Sequence, residues 1–318
     1  MNHVDYETSI RRSLWAWADQ YHRGELDGGK RDGRSPVLEK QFADKNVLVP
    51  TNVAKAHKIT RALPIRQRHR WFCSLRSSQA LTQSVFGAFY GLNRLDLFSN
   101  IMADCGRPAF LAESDEARID FEYEVDNLRE PRRTSIDVMM RRLQHRVAIE
   151  CKFTEQEFGI CSRPMLTSKE KNYPQQYCNG NYQFQQGRSK RCALTSIDIQ
   201  YWRYIPRLFG WSDAQDHLPC PVRHTYQLIR NALAATVNED GRIDCDGRHV
   251  LIVYDARNPA FLPDGKAAKQ YAIASKACRI PGLFRQISWQ RILAATTHAS
   301  EFSFLLDAAE VKYGLKPE

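Results

Sequence analysis

Hydrophobic positions recur with two different periods along the middle of the chain, and the switches between them mark out successive elements. The string SSQALTQSVFGAFYGL, starting at Ser77, spaces Leu81, Val85, Phe86 and Phe89 as on one side of a helix, behind serines suited to capping, and predicts a helix over 78–92. Over 119–126 the pattern I-D-F-E-Y-E-V-D alternates, so Ile119, Phe121, Tyr123 and Val125 are expected on one face of a half-buried strand. A basic loop with Arg129, Pro131, Arg132 and Arg133 leads into two strand-like runs, SIDVMMRRL at 135–143 and RVAIECKFT at 146–154, close enough to pair as a hairpin. Farther on, TYQLIRNALAATVN at 225–238 predicts an amphipathic helix, and HVLIVYDARNP opens with an apolar run suited to a strand buried on both faces. Two helices near 287–298 and 301–314 and a short aromatic one near 9–22 complete the pattern. The Gly-rich, charged stretch at 24–36 reads as a peripheral loop.

The order α-β-β-β-α-β predicts an α/β core with a mixed β-sheet flanked by helices. A helical and loop extension at 1–76 precedes it. Core segments at 77–155 and 223–318 are separated by 156–222, an irregular insertion rich in Tyr, Gln, Cys and Pro that needs something to organise it.

With 318 residues, 43% of them hydrophobic, the chain can build a substantial core. No run approaches the roughly 18 apolar residues that cross a bilayer, and MNHVDYETSIRRSLWAWADQ lacks the apolar stretch of a secretion signal. The expectation is a cytoplasmic protein without a membrane partner, whose nine cysteines are reduced thiols or metal ligands. A formal charge of +10 favours polyanions, nucleic acid foremost. A GxxxxGK[ST] loop is absent, as is any local signature of a Ser or Cys nucleophile, although His145 and His224 are present.

The predicted hairpin carries the chemistry. With its loop centred between Gln144 and His145, Asp137 lies opposite Lys152, and Glu150 shares their face two residues away. The other face pairs Ile136 with Phe153, Val138 with Cys151 and Met140 with Ile149, so one register accounts for both faces. Two carboxylates supply hard oxygen ligands for Mg²⁺ or Mn²⁺, with open positions for water and a phosphate oxygen. Lys152 would orient or help deprotonate the attacking water and stabilise charge at phosphorus. Taken alone the pattern also suits a solvated ion pair between Asp137 and Lys152. Glu122 and Glu124, on the polar side of the first strand, would supplement the metal site or simply face outward. On the later helix Gln227 and Asn231, one turn apart with Arg230 beside them, form a candidate set of phosphate or base contacts.

The strings S-I-Asp137 and A-I-Glu150-C-Lys152 resemble the signature of the PD-(D/E)XK nuclease superfamily. Over more of the chain WFCSLRSSQALTQSVFG, KFTE, RCALT, YW and YQLIRNALAA are similar to a bacterial group of restriction endonucleases. The resemblance implies a restriction-endonuclease-like core, divalent metal held by Asp137 and Glu150, Lys152 assisting catalysis, and DNA as substrate. Many members add a Glu from the first helix. This helix has Gln79 and Gln83 instead, which leaves Gln79 to position a water or ligand and the number of metals open.

Cys161, Cys178, Cys192 and Cys220 all fall in the insertion, enough for one Zn²⁺ or a 4Fe–4S cluster, or else four small core residues. Some nucleases that this chain resembles hold iron–sulfur clusters through scattered cysteines. Tyr173, Tyr177, Tyr182, Tyr201, Trp202 and Tyr204, interleaved with Arg188, Lys190, Arg191 and Arg203, would stack bases or pack the subdomain. The leading function is therefore metal-dependent hydrolysis of DNA phosphodiesters, of restriction or defence type. The competing classes are a non-hydrolytic nucleic-acid-binding module on the same fold and an interaction protein docking through the cysteine segment. A homodimer would suit double-strand cleavage, though no interface stripe is visible.

Overall fold

The computed structural model describes residues 2–28, 33–131, 133–185 and 187–318. Residues 29–32 of the Gly-rich loop and Arg132 of the basic loop lie outside them. Five strands, β1 (Arg118–Val125), β2 (Thr134–Arg142), β3 (His145–Cys151), β4 (Arg248–Tyr254) and β5 (Phe284–Ser288), form one sheet in the order β1-β2-β3-β4-β5. The first three are antiparallel, and β3, β4 and β5 are parallel, so the sheet is mixed.

Among the described residues ten α-helices flank it: α1 (His3–Tyr21), α2 (Val53–Arg61), α3 (Ser78–Gly91), α4 (Tyr173–Gln176), α5 (Ala193–Ser196), α6 (Tyr201–Leu208), α7 (Val222–Thr236), α8 (Lys266–Ala277), α9 (Trp289–Ala294) and α10 (Ser303–Tyr313). No helix among the described residues is long and apolar enough to cross a membrane. Side chains of β4 alternate between two cores, as a strand buried on both faces requires. Leu251 and Val253 join α1, α3, α9 and α10 on one side. Val250 and Ile252 join α6, α7 and α8 on the other.

The hairpin differs from its expected register. Arg142 pairs with His145 across a two-residue turn at Leu143 and Gln144, one residue earlier than the expected centre. Leu143 adopts φ 52°, a conformation few side-chain-bearing residues take. Val138 therefore pairs with Ile149 and Met140 with Val147, replacing the predicted partners. Pairing has slid by two residues, and an even slide does not by itself turn a side chain to the other face. Asp137 now falls level with Glu150 instead of Lys152.

The uniform face expected for Ile119, Phe121, Tyr123 and Val125 breaks in the middle. Glu122 has φ 46°, and after it Tyr123 and Val125 pack with the second core while Ile119 and Phe121 stay with the first. On the neighbouring strand Ile136 likewise belongs to the second core and Val138 to the first. Both strands thus change face around Glu122 and Asp137.

Sequence periodicity also missed β5 and α8, and the helix expected over 287–298 is only α9. Ser288 ends β5 and caps α9, its side chain accepting from Arg291 N–H at 3.1 Å. The N-terminal helix begins earlier than expected and is part of the core. Its Tyr6, Ile10, Leu14 and Ala18, four residues apart, are buried, and Tyr6 Oη donates toward Phe153 O and Asp255 Oδ2 at 2.9 Å each.

Leu14→Ala should lower unfolding free energy by roughly 2–5 kcal/mol in urea denaturation, the cost of a core cavity. A change below about 0.5 kcal/mol would mark α1 as a dispensable surface addition. His249 on β4 gives a pH test. Burial, then the charge of Arg285, pushes its pKa down to about 3, and Nε2 lies 2.8 Å from Ala109 O. The unfolded chain takes up that proton near pH 6.5. The stability linked to His249 is therefore intact above about pH 6.5 and is lost as pH falls toward about 3, with a slope of at most about 1.4 kcal/mol per pH unit. His249→Gln should flatten the denaturation-versus-pH curve between about pH 7 and 4, and curves of equal slope would refute the assignment.

Candidate active site

Beyond the Val138–Ile149 pair β2 and β3 separate, and Asp137 fills the gap by accepting Cys151 N–H on Oδ2 at 2.7 Å. A side chain thus replaces a ladder carbonyl, so the Asp137 carboxylate is fixed between the two strands. Glu150, pairing with Ile252 of β4, is only 2% exposed. Its Oε1 accepts from Lys152 Nζ at 2.9 Å and from Gln227 Nε2 at 2.6 Å, and its Oε2 accepts from Asn231 Nδ2 at 2.6 Å. Lys152 is held through its backbone as well. Its N–H donates to Val253 O at 2.7 Å, and its carbonyl accepts from Trp289 Nε1 at 2.9 Å.

Gln227 completes a closed set of contacts. Its Oε1 accepts from Lys152 Nζ at 3.0 Å and from Gly159 N–H at 2.7 Å, while its Nε2 donates to Glu150. The expected grouping of Gln227, Arg230 and Asn231 as nucleic-acid contacts needs correction in this respect. Gln227 and Asn231 turn toward Glu150, and Asn231 is fully buried, so its amide positions a carboxylate and has no exposed surface for a base or phosphate. Arg230 remains half-buried, with Nε unpartnered among the described residues.

Electrostatics follow from placing carboxylates together out of water. Burial raises the Asp137 pKa well above the usual carboxylate range, and the charges of Glu150 and Glu122 push the same way against Lys152 and the Cys151 amide. Burial alone would lower the Lys152 pKa, but Glu150, Glu155 and Asp137 outweigh it, so the ammonium form is favoured. Glu122 is raised by burial first and by Glu150 later, with Ser135 and Gln79 opposing.

Glu122 is the residue that periodicity did not separate from Glu124. Phe121 pairs with Val138 and Tyr123 with Ile136, which sets Glu122 level with Asp137. Gln79 reaches this group only through Glu122, donating from Nε2 at 2.5 Å, while its Oε1 accepts from His69 N–H. Gln83 is buried and donates to Ile59 O and Thr60 O, away from the carboxylates. Glu124, by contrast, is paired with Arg133. Its role is an outer ion pair.

Glu122 opens onto a groove of about 810 Å³ bordered by Lys58, Arg61, Arg66, Arg118, Arg133 and Arg141. Arg118 and Arg141 are paired with Asp120, and Arg133 with Glu124 and Asp126. Arg61 and Arg66 are exposed and have no carboxylate partner among the described residues.

In the insertion, the aromatic residues mostly pack. Tyr201, Trp202, Tyr204 and Tyr182 are buried, and the rings of Tyr182 and Trp202 stack with centroids 3.6 Å apart. Tyr173 and Tyr177 stack on each other near the surface. Cys161, Cys178, Cys192 and Cys220 line one small cavity, whereas Cys151 lies in the first core, as expected. Among the described residues no set of three or more His, Cys, Asp or Glu side chains is spaced to enclose a metal ion.

A mixed five-stranded sheet with helices on both faces places the chain in the α/β class and is consistent with a restriction-endonuclease-like domain. The chain belongs to the family described as restriction endonuclease associating with ARP, whose family model matches residues 11–314. No curated protein and no solved structure matches it.

The buried ion pair can be tested without substrate. Lys152→Met keeps much of the side-chain volume but leaves Glu150 buried without its cation, and should cost roughly 3–5 kcal/mol in metal-free urea denaturation. A cost below about 1 kcal/mol would mean that the pair is effectively solvated.

Proposed function

We propose that the protein is a divalent-metal-dependent DNA endonuclease of the PD-(D/E)XK type, with Asp137 and Glu150 as metal ligands and Lys152 as the catalytic cation. The observation that carries this reading is the level placement of Asp137 and Glu150 on separating strands, with Lys152 against Glu150. Family membership supports a restriction-type nuclease, and hence DNA as the substrate.

The donor set fits Mg²⁺. A carboxylate offers about four lone-pair sites. Asp137 accepts one hydrogen bond and Glu150 three, so both keep capacity for a cation. A pair of carboxylates without a closed cage of protein ligands is how Mg²⁺ is commonly held, with water and substrate phosphate completing the octahedron. Bound there, Mg²⁺ or Mn²⁺ would polarise the scissile phosphate and acidify a water.

The protein's own groups have separate tasks. Lys152 presents a fixed positive charge to the anion that develops at phosphorus, since its surroundings favour the ammonium form. Gln227 and Asn231 hold the Glu150 carboxylate in one orientation, which limits its rearrangement on ligation. Arg61 and Arg66 on the groove rim are free to meet backbone phosphates.

Purified protein incubated with linear and circular DNA should cut with Mg²⁺ or Mn²⁺ and stop on adding EDTA. Asp137→Asn and Lys152→Ala should each reduce the cleavage rate by at least about 10²-fold. Equal residual cutting in both variants would place the activity elsewhere. Salt-sensitive binding without cutting by the wild-type chain would instead identify a non-hydrolytic binding module.

A further inference from the structure

The four cysteines of the insertion come from separate pieces of chain. Cys161 follows the loop after β3, Cys178 lies just past α4, Cys192 caps α5 and Cys220 precedes α7. The fold nevertheless brings all four to one cavity, alongside Tyr182 and Val222. The thiols are near enough to influence one another electrostatically: Cys161 with Cys192 and Cys178, and Cys220 with all three. Four such groups drawn from distant positions are more than the packing of a small apolar pocket needs.

Backbone geometry supplies a second observation. Amide groups are turned toward three of the sulfurs: that of Arg163 to Cys161, that of Val222 to Cys220, and those of Leu194 and Thr195 to Cys192. Burial pushes the thiols up, Cys161 and Cys220 to about 12, and in each case the amide two residues on, joined at Cys192 by the third, opposes it by favouring the negative sulfur form, which is the form that binds metal. Arg163 and Arg223 line the same cavity and have no carboxylate partner among the described residues. Their charges suit a centre that four thiolates would leave negative overall.

We propose that Cys161, Cys178, Cys192 and Cys220 together bind one thiophilic metal centre, a Zn²⁺ ion or an iron–sulfur cluster, that staples the insertion to α7. As the side chains stand, the sulfurs line the cavity wall without closing to the spacing of a single ion. A zinc ion would have to draw them together, whereas a cluster, several ångströms across, would have to widen a cavity of about 20 Å³. The cavity's position gives the centre a consequence. Cys161 N–H donates to Arg223 O at 2.9 Å, and Gly159, two residues before it, exchanges backbone and side-chain hydrogen bonds with Gln227. Loosening the centre frees the segment that holds the Glu150 and Lys152 partner in place. The proposal rests on the thiol geometry and does not depend on the nuclease reading.

The test is the metal content and absorption spectrum of the full chain, purified in air and anoxically, then washed with EDTA and filtered. The expected result is about one tightly held Zn²⁺ per chain, or iron with sulfide and broad visible absorption. The Cys192→Ser and Cys178→Ser variants should fall to background metal, while Cys105→Ser, at an exposed cysteine outside the cavity, keeps the wild-type content. Because a cavity variant could fail to fold, the wild-type measurement stands by itself. No stoichiometric metal in either preparation, and no uptake from Zn²⁺ or from Fe²⁺ with sulfide, overturns the proposal. Wild-type metal content in a folded Cys178→Ser, Cys192→Ser double variant overturns it equally.

Discussion

A carboxylate removed from water must be compensated by charge and hydrogen bonds, and Glu150 is the group on which that requirement falls hardest in this protein. Its donors are Lys152 just past the end of the same strand and Gln227 and Asn231 from α7 on the other side of the insertion. The full set of contacts to Glu150 is therefore assembled only when α7 docks across β3 and β4. That docking depends in turn on the second core and on the chain between β3 and α7 returning to the right place. Position of the site and completion of the fold are one event. A polar network of this kind is costly when partly satisfied, which makes its geometry demanding.

The parts of this arrangement written in local pattern were legible. Strands β2 and β3 and helices α3 and α7 could be placed because their apolar residues follow one period over several turns or pleats, and β4 because its apolar run is unbroken. The shared face of Asp137, Glu150 and Lys152 survived an error in register because the error was even. The turn itself was not legible: Leu143 at φ 52° lacks the glycine or asparagine that announces such a turn. Neither was Glu122, whose backbone departs from strand geometry in a segment of perfect alternation. Strand β5 escaped notice because FRQIS carries three polar residues and is secured by its neighbour β4. The contacts of Gln227 and Asn231 with Glu150 are long-range in sequence, and no periodicity encodes them.

The positive charge of the chain is distributed with a clear division of labour. Three arginines bordering the groove, Arg118, Arg133 and Arg141, are neutralised by carboxylates of the same sheet edge, while Arg61 and Arg66 have no carboxylate partner among the described residues. Glu122 lines the groove, and beneath it the half-buried Asp137 and the buried Glu150 lie close enough that the charges of Glu150 and Glu122 raise the Asp137 pKa after burial has done so. A positive rim around a negative interior attracts a polyanion from a distance and opposes its closest approach until a cation intervenes.

Gln227 shows how narrow the chemical tolerance of such a site is. Its amide accepts from Lys152 and Gly159 through oxygen and donates to Glu150 through nitrogen, so both ends are committed. Glutamate at this position would set a second negative charge against Glu150; lysine would offer donors where two acceptances are needed; methionine would supply neither function. Among natural side chains only glutamine combines this reach with this polarity. The hallmark by which distant relatives of this site would be recognised is thus not three residues on a hairpin but those three read together with a glutamine on the helix that closes over them.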